Sequence, residues 1–257
     1  MNTAALHHRF DGPDDAPVLI LGSPLGADGR VWDALVPALA ARHRVLRFDT
    51  RGHGRSELPP GTPTVSDLAA DVVALADRYG IERFSYAGIS LGGAIGLTLV
   101  LDAPERLDRL VVCCSGAKLG EPAAWHERAA QVRRDGTDAV APTVVGRWFT
   151  PAYAAREPDV RAGILAMLRA CPPEGYAACC DALATYDVRA RLAAVTAPTL
   201  VIAADQDPST PLGLGTEVAE GVPGARLAVV KDAAHLVIVE KADEVRDILG
   251  EFLPGGA

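Results

Sequence analysis

Residues 88–93 read Gly88-Ile89-Ser90-Leu91-Gly92-Gly93, and they leave the chain few ways to fold. Just before them, Arg83-Phe84-Ser85-Tyr86-Ala87 is short, partly alternating and rich in aromatics, the pattern of a strand. Just after them, Ala94-Ile95-Gly96-Leu97-Thr98-Leu99-Val100-Leu101-Asp102 is apolar on most sides, the pattern of a buried helix. A Gly-x-Ser-x-Gly where strand becomes helix predicts a sharp elbow with its serine in a strained backbone conformation. The glycines follow from the same geometry, because a Cβ at Gly88 or Gly92 would meet the neighbouring strand or helix. Such a turn lifts the Ser90 hydroxyl above the sheet and points the new helix's unpaired N–H groups and positive dipole end at it. A glycine-rich junction with no chemistry has the same local pattern, so the rest of the chain must decide.

The rest alternates. Strand-like apolar runs at 16–21, 44–48, 110–114, 197–203 and 225–230 are separated by helical spacing, which predicts an α/β fold with a mostly parallel sheet covered on both faces. Trp32, Leu35, Val36, Leu39 and Ala40 recur at helical spacing. Ser66 is expected to cap a helix that turns Leu68, Val72, Leu75 and Ala76 inward. From about 121 to 192 the alternation stops, and the patterns are helical throughout, at 123–134, 137–149, 158–170 and 174–183. A helical insertion between two strands of one sheet is expected to act as a lid over the strand ends. A closing helix is expected over 242–252, with Pro254-Gly255-Gly256-Ala257 frayed, and the whole of 1–257 reads as one domain.

Composition narrows the function. A net charge of −8 with no basic tract argues against nucleic acid, and it means that an anionic substrate needs locally placed cations. No apolar run is long enough to span a bilayer, and residues 1–9 lack the basic-then-apolar order of a signal peptide. The five cysteines, Cys113, Cys114, Cys171, Cys179 and Cys180, are odd in number and lack C-x-x-C spacing. They fit neither a disulfide framework nor a zinc site and read as small buried residues of a reducing cytoplasm.

A serine hydroxyl needs a base to take its proton, and the base needs a carboxylate to orient it. On sheets with such an elbow the chain order is serine, acid, histidine. His235 follows the 225–230 strand, so it shares with Ser90 the carboxyl edge of the sheet, where ligands of α/β sheets bind. Of the other histidines, His7, His8 and His43 read as surface residues, His53 as structural in a tight glycine loop, and His126 as part of a solvated helix face. Asp205 and Asp207 both follow the 197–203 strand, and periodicity does not separate them; Asp207 precedes a Pro-Ser-Thr-Pro turn, whereas Asp205 reads as a turn residue bonding its own loop. The oxyanion of a tetrahedral intermediate needs the N–H after the nucleophile and one from the loop after an early strand. Those are the N–H groups of Leu91 and Leu25, since Pro24 has none.

With these residues assembled, the chain resembles the α/β-hydrolase superfamily and, within it, the 3-oxoadipate enol-lactonases. Carrying the resemblance are Leu25-Gly26 with Trp32-Asp33, Asp49-Thr50-Arg51-Gly52-His53-Gly54, the elbow, and Ala233-Ala234-His235-Leu236. The lid adds the more specific matches, Gly116-Ala117-Lys118-Leu119-Gly120, Trp125, Arg147-Trp148-Phe149-Thr150-Pro151 and Glu174-Gly175-Tyr176-Ala177-Ala178-Cys179-Cys180. The resemblance implies a Ser90–His235–Asp207 triad, with Asp207 preferred to Asp205, that works through an acyl-enzyme without metal or organic cofactor. It implies as substrate a five-membered enol-lactone with one free carboxylate, opened to 3-oxoadipate in aromatic catabolism. Trp125 and Arg128 lie three residues apart on one predicted helix and so share a face. Arg128 is expected to pair with the substrate carboxylate while Trp125 walls the pocket, with Arg133, Arg134, Arg147 and Lys118 in reserve. The chain departs from the pattern at Pro24, where a small polar residue is expected, and the departure bears on the oxyanion loop. A general carboxylesterase or a cofactor-free perhydrolase would carry the same triad, and a non-catalytic binding protein would usually lack one member of it.

Overall fold

The computed structural model describes residues 3–253, so the expectation for 254–257 lies outside the described residues. Its strands are β1 (His8–Asp11), β2 (Val18–Gly22), β3 (Arg44–Phe48), β4 (Phe84–Ile89), β5 (Leu107–Cys113), β6 (Thr199–Ala204) and β7 (Arg226–Val230). They form one sheet in the order β1-β3-β2-β4-β5-β6-β7. β1 runs antiparallel to β3, and every other pair is parallel. β4 and β6 are buried along their whole length, as strands covered on both faces must be. The helices are α1 (Val36–Ala40), α2 (Val65–Arg78), α3 (Leu91–Asp102), α4 (Pro122–Asp135), α5 (Ala141–Val145), α6 (Pro151–Arg156), α7 (Pro158–Arg169), α8 (Pro173–Ala184), α9 (Leu212–Gly221), α10 (Val237–Glu240) and α11 (Ala242–Phe252). None is long and apolar enough to cross a membrane.

Local sequence explains where the elements depart from the expected pattern. α2 is capped by Thr64, not by Ser66. The Thr64 hydroxyl accepts the Asp67 N–H at 3.2 Å and the Asp67 carboxylate accepts the Thr64 N–H at 2.8 Å, a reciprocal capping box. Ser66 instead donates to Asp102 at 2.9 Å. The helix expected over 137–149 is broken into a 3₁₀ turn (Thr137–Ala139) and α5. Gly136 ends α4 with φ 78°, and Pro142, which has no N–H, can only open a helix. Residues 32–40 divide in the same way, into a 3₁₀ turn (Gly29–Trp32) and α1, which carries Pro37 in its first turn.

The segment between β5 and β6 is helical, α4 to α8, with α4 laid along α8. It reaches the rest of the chain by backbone: a Cβ on Gly175, in the first turn of α8, would collide with the carbonyl of Gly52. All five cysteines are buried free thiols. Burial pushes the Cys171 and Cys180 thiols up to about 12. A buried ion pair, Arg51 with Asp71 at 2.6 Å, ties the loop after β3 to α2, and the Asp71 carboxylate also accepts the Ala4 N–H at 2.7 Å.

Candidate active site

Three backbone segments meet without side chains between them. Gly22, which ends β2, is the register partner of Gly88 in β4. A Cβ on Gly88 would collide with the Gly92 carbonyl, and one on Gly92 with the Gly22 carbonyl. The elbow therefore needs glycine on both sides of the serine, as the motif predicts. Ser90 itself has φ 56° and ψ −117°, a conformation that costs a non-glycine residue about 1–3 kcal/mol and must be held by its surroundings. It is held by three contacts. The Ser90 N–H donates to the Cys113 carbonyl at 3.0 Å, Ser115 Oγ donates to the Ser90 carbonyl at 2.7 Å, and the Tyr86 hydroxyl donates to the Gly92 carbonyl at 3.0 Å.

The carboxyl ends of β6 and β7 bring Asp207 and His235 together. His235 Nδ1 lies 2.8 Å from Asp207 Oδ2, and both residues are buried. Asp207 is fixed from its other side by its own turn. Its Oδ1 accepts the N–H groups of Ser209 at 2.7 Å and Thr210 at 3.0 Å, and Oδ2 accepts the Thr210 hydroxyl at 2.5 Å. Burial alone would raise the Asp207 pKa, but the adjacent His235 and the bonds from Thr210 outweigh it and hold the carboxyl below its ordinary value. Asp205 is exposed and 3.8 Å from Lys231, so the structure separates two carboxylates that spacing alone does not. Thr210 is a site residue that sequence reasoning missed; the Asp-Pro-Ser-Thr turn was its signal, since aspartate side chains bond N–H groups two and three residues on.

Leu25 follows β2 in a turn closed by the Ala27 N–H donating to the Pro24 carbonyl at 3.1 Å, with Gly26 at φ 86°. Pro24 thus accepts within the turn and does not block it. The Gly26 N–H donates to His53 Nε2 at 2.9 Å, and His53 Nδ1 lies 3.1 Å from the Arg51 carbonyl. These partners require a neutral imidazole with its proton on Nδ1, and complete burial lowers the His53 pKa in agreement. Leu91 opens α3, so its N–H has no intrahelical acceptor.

Ser90, His235 and Leu25 border a cavity of about 200 Å³, closed over by Trp125, Arg128, Arg147, Trp148 and Tyr176 of the helical segment. Arg128 sits 4.9 Å from the Trp125 ring centroid, so the expected shared face is present. Of the reserve cations only Arg147 borders this cavity. Lys118 pairs with Glu121, Arg133 with Glu174 and Asp181, and Arg134 with Asp135, each at 2.7–2.8 Å. A second cleft, about 580 Å³, lies by Gly26 and β1 and is lined by charges that neutralise one another, Arg30 with Asp28 and Arg47 with Asp33.

The remaining histidines are accounted for. His43 is buried, with Nδ1 3.2 Å from the Leu39 carbonyl, which corrects the expectation of a surface position. His7 and His8 are half-buried against Asp49 and Tyr79, and His126 is exposed beside Asp181. A further missed residue is Glu240, buried in α10. Its carboxylate accepts the Ala234 N–H at 3.0 Å and the Thr150 hydroxyl, joining the histidine loop to the helical segment. Beside it the Leu236 N–H donates to the Trp148 carbonyl at 2.8 Å. Among the described residues no group of three or more His, Cys, Asp and Glu side chains is placed to hold a metal ion.

Residues 18–248 match the model of the alpha/beta hydrolase family. 3-Oxoadipate enol-lactonase 2 of Acinetobacter baylyi is 37% identical over 92% of this chain and 88% of its own length. A protein of Rhizobium rhizogenes named as a carbamate hydrolase, RutD, is 30% identical over 96% of this chain and 95% of its own. The crystal structure of the enol-lactonase from Burkholderia xenovorans superposes with a TM-score of 0.95 at 37% identity, covering 97% of this chain and 96% of that one. The chain belongs to the alpha/beta hydrolase family, with enol-lactonases among its relatives.

Proposed function

We propose that the protein is a serine hydrolase that opens 3-oxoadipate enol-lactone to 3-oxoadipate, with the helical segment 121–192 acting as a cap that selects the substrate. The observation that carries this reading is the pairing of His235 Nδ1 with a buried carboxylate beside a cavity that holds both Ser90 and the cation Arg128. With Nδ1 engaged, Nε2 is the nitrogen left to take the Ser90 proton. Ser90 Oγ attacks the lactone carbonyl, and the N–H groups of Leu91 and Leu25 stabilise the oxyanion. The ring C–O bond then breaks. The enol leaving group takes a proton and becomes the ketone, which removes the driving force for reclosure. Water activated by His235 attacks the acyl-enzyme, releasing the second carboxylate and restoring Ser90. Asp207 holds the imidazole tautomer and stabilises the imidazolium formed in each half.

The small cavity suits a compact substrate rather than a long acyl chain. Arg128 supplies the cation that an acidic protein must place locally, and Trp125 walls the pocket. The similarity to named enol-lactonases supports the same substrate class, and the buried free thiols fit a reducing cytoplasm.

Turnover of freshly generated 3-oxoadipate enol-lactone, followed spectrophotometrically beside simple aryl esters and a carbamate, tests the reading. Enol-lactone should be preferred by orders of magnitude in kcat/KM. A preference for the carbamate would favour the chemistry named for the Rhizobium rhizogenes relative, and equal rates on aryl esters would make the protein a general esterase. Ser90→Ala should abolish turnover and labelling by a fluorophosphonate; a substantial residual rate would exclude the acyl-enzyme. Arg128→Ala should raise KM for the lactone acid, and an unchanged KM would remove Arg128 from carboxylate binding.

A further inference from the structure

Tyr176, in α8, is completely buried and borders the cavity that holds Ser90, and among the described residues its hydroxyl proton has no acceptor; the polar group beside it, the Arg128 guanidinium, can only donate. Buried hydroxyls are almost always bonded, and an orphan demands an explanation. Packing does not supply one. The ring fills space beside the oxyanion loop, where a Cβ on Gly26 would come within 3.0 Å of it, and a phenylalanine would fill that space as well. The charge nearest the hydroxyl points to a ligand. Burial raises the phenol's pKa and keeps it a neutral donor, and the guanidinium of Arg128, by its charge and by donating toward the phenol oxygen, opposes that rise in part. Arg128 lies against the Trp125 ring and close to this donor, and all three side chains border one small cavity.

We propose that the Tyr176 hydroxyl and the Arg128 guanidinium together form the subsite for the substrate's carboxylate, Arg128 supplying the charge and Tyr176 the hydrogen bond that fixes its position. The inference rests on the enol-lactonase reading of the cavity and adds a specificity-determining residue to it. A carboxylate offers an acceptor to a donor that has none in the free protein, so binding gains a charge-assisted bond without breaking one. A neutral ester in the same place gives the phenol a weaker acceptor and leaves the guanidinium uncompensated.

The test uses Ser90→Ala protein, so that nothing turns over, and calorimetric titration with γ-butyrolactone bearing an acetate arm and with its methyl ester. The acid should bind more tightly than the ester. Adding Tyr176→Phe should weaken the acid by about tenfold or more while leaving the ester within about twofold. It should also leave the melting temperature close to that of the parent, because the hydroxyl proton has no internal acceptor to lose. Combined with Arg128→Met, the two losses should fall short of additive, as expected for groups that share one ligand atom set. If Tyr176→Phe leaves the acid's affinity unchanged, weakens acid and ester alike, or melts well below the parent, the role of Tyr176 is wrong while the enol-lactonase reading stands. If acid and ester bind alike before Tyr176 is touched, the carboxylate subsite itself fails, whatever the turnover assay shows.

Discussion

His53→Leu tests how far the oxyanion loop depends on a residue that does not touch the cavity. The substitution keeps much of the volume and removes the acceptor that holds the Gly26 N–H at 2.9 Å. Leaving that buried N–H without a partner costs about 1–3 kcal/mol of stability. Gly26 follows Leu25, whose N–H is the proposed second oxyanion donor. Complete loss of one such donor lowers kcat by about 10²–10³-fold, and a loop that is loosened rather than removed should forfeit part of that, about 10–100-fold. KM should change little, because the donor acts on charge that develops only in the transition state. The same residue sets a pH dependence of stability. Burial depresses the folded pKa of His53 below its ordinary 6.5, so between those values the unfolded chain binds a proton that the folded chain does not. Stability is therefore fully present above about pH 6.5 and is lost as pH falls below it, and the leucine variant should lose less over that window. Steady-state kinetics, with melting curves from neutral to mildly acidic pH, read both effects. A folded variant with kcat within about threefold of wild type would refute the link between His53 and the oxyanion donor.

Asp71→Ala strips the buried Arg51 of a bidentate partner and should cost about 3–5 kcal/mol, lowering the melting temperature by roughly 10 °C; a shift of a degree or two would show that the pair adds little. Glu240→Gln sets an amide N–H₂ against groups that donate to the carboxylate, Ala234 N–H among them. It should cost about 1–3 kcal/mol and slow fluorophosphonate labelling of Ser90 as the histidine loop loosens, whereas unaltered labelling would confine Glu240 to stability. The native protein should resist iodoacetamide at pH 8, because the Cys171 and Cys180 thiols are buried and pushed up to about 12. Mass spectrometry before and after urea checks this, and a modified native thiol would contradict the burial.

The sequence was most legible where one physical requirement dominates. β4, β6 and α3 are buried almost throughout; mostly apolar runs announce β6 and α3, and a short aromatic-rich stretch announces β4. The elbow's glycines are dictated by backbone contact, and Ser90 and His235 could be ordered by chain position. β1 was not legible, because it is a short edge strand with only partial burial that pairs antiparallel to β3. α9 and α6 were missed for a similar reason: glycines weaken the pattern of the first and the second is a short turn. Asp207 and Asp205 could be ranked by residue pattern but not separated by spacing, and the distinction rests on a contact across 28 positions of sequence. Thr210 bonds a residue three positions away, so its turn was readable, whereas Glu240 and Tyr176 meet the histidine loop and the cavity only in the folded chain, so no local pattern marks them. Trp125 and Arg128 were legible as a pair because three residues on one helix fix their relation.

The contact between Gly52 and Gly175 divides the cap into positions with different freedom to change. Any side chain at either glycine would push α8 away from the loop that carries His53, so this seam tolerates no variation. The cavity face of this segment, at Trp125, Arg128 and Tyr176, borders open space instead of backbone, and substitutions there should leave the seam and the Asp207–His235 pair untouched. Substrate range in such a protein can drift by exchanging a few side chains beside a seam of fixed register, one residue at a time. A saturation library should show it as sharp intolerance at positions 52 and 175 beside permissive, specificity-shifting variation at 125, 128 and 176.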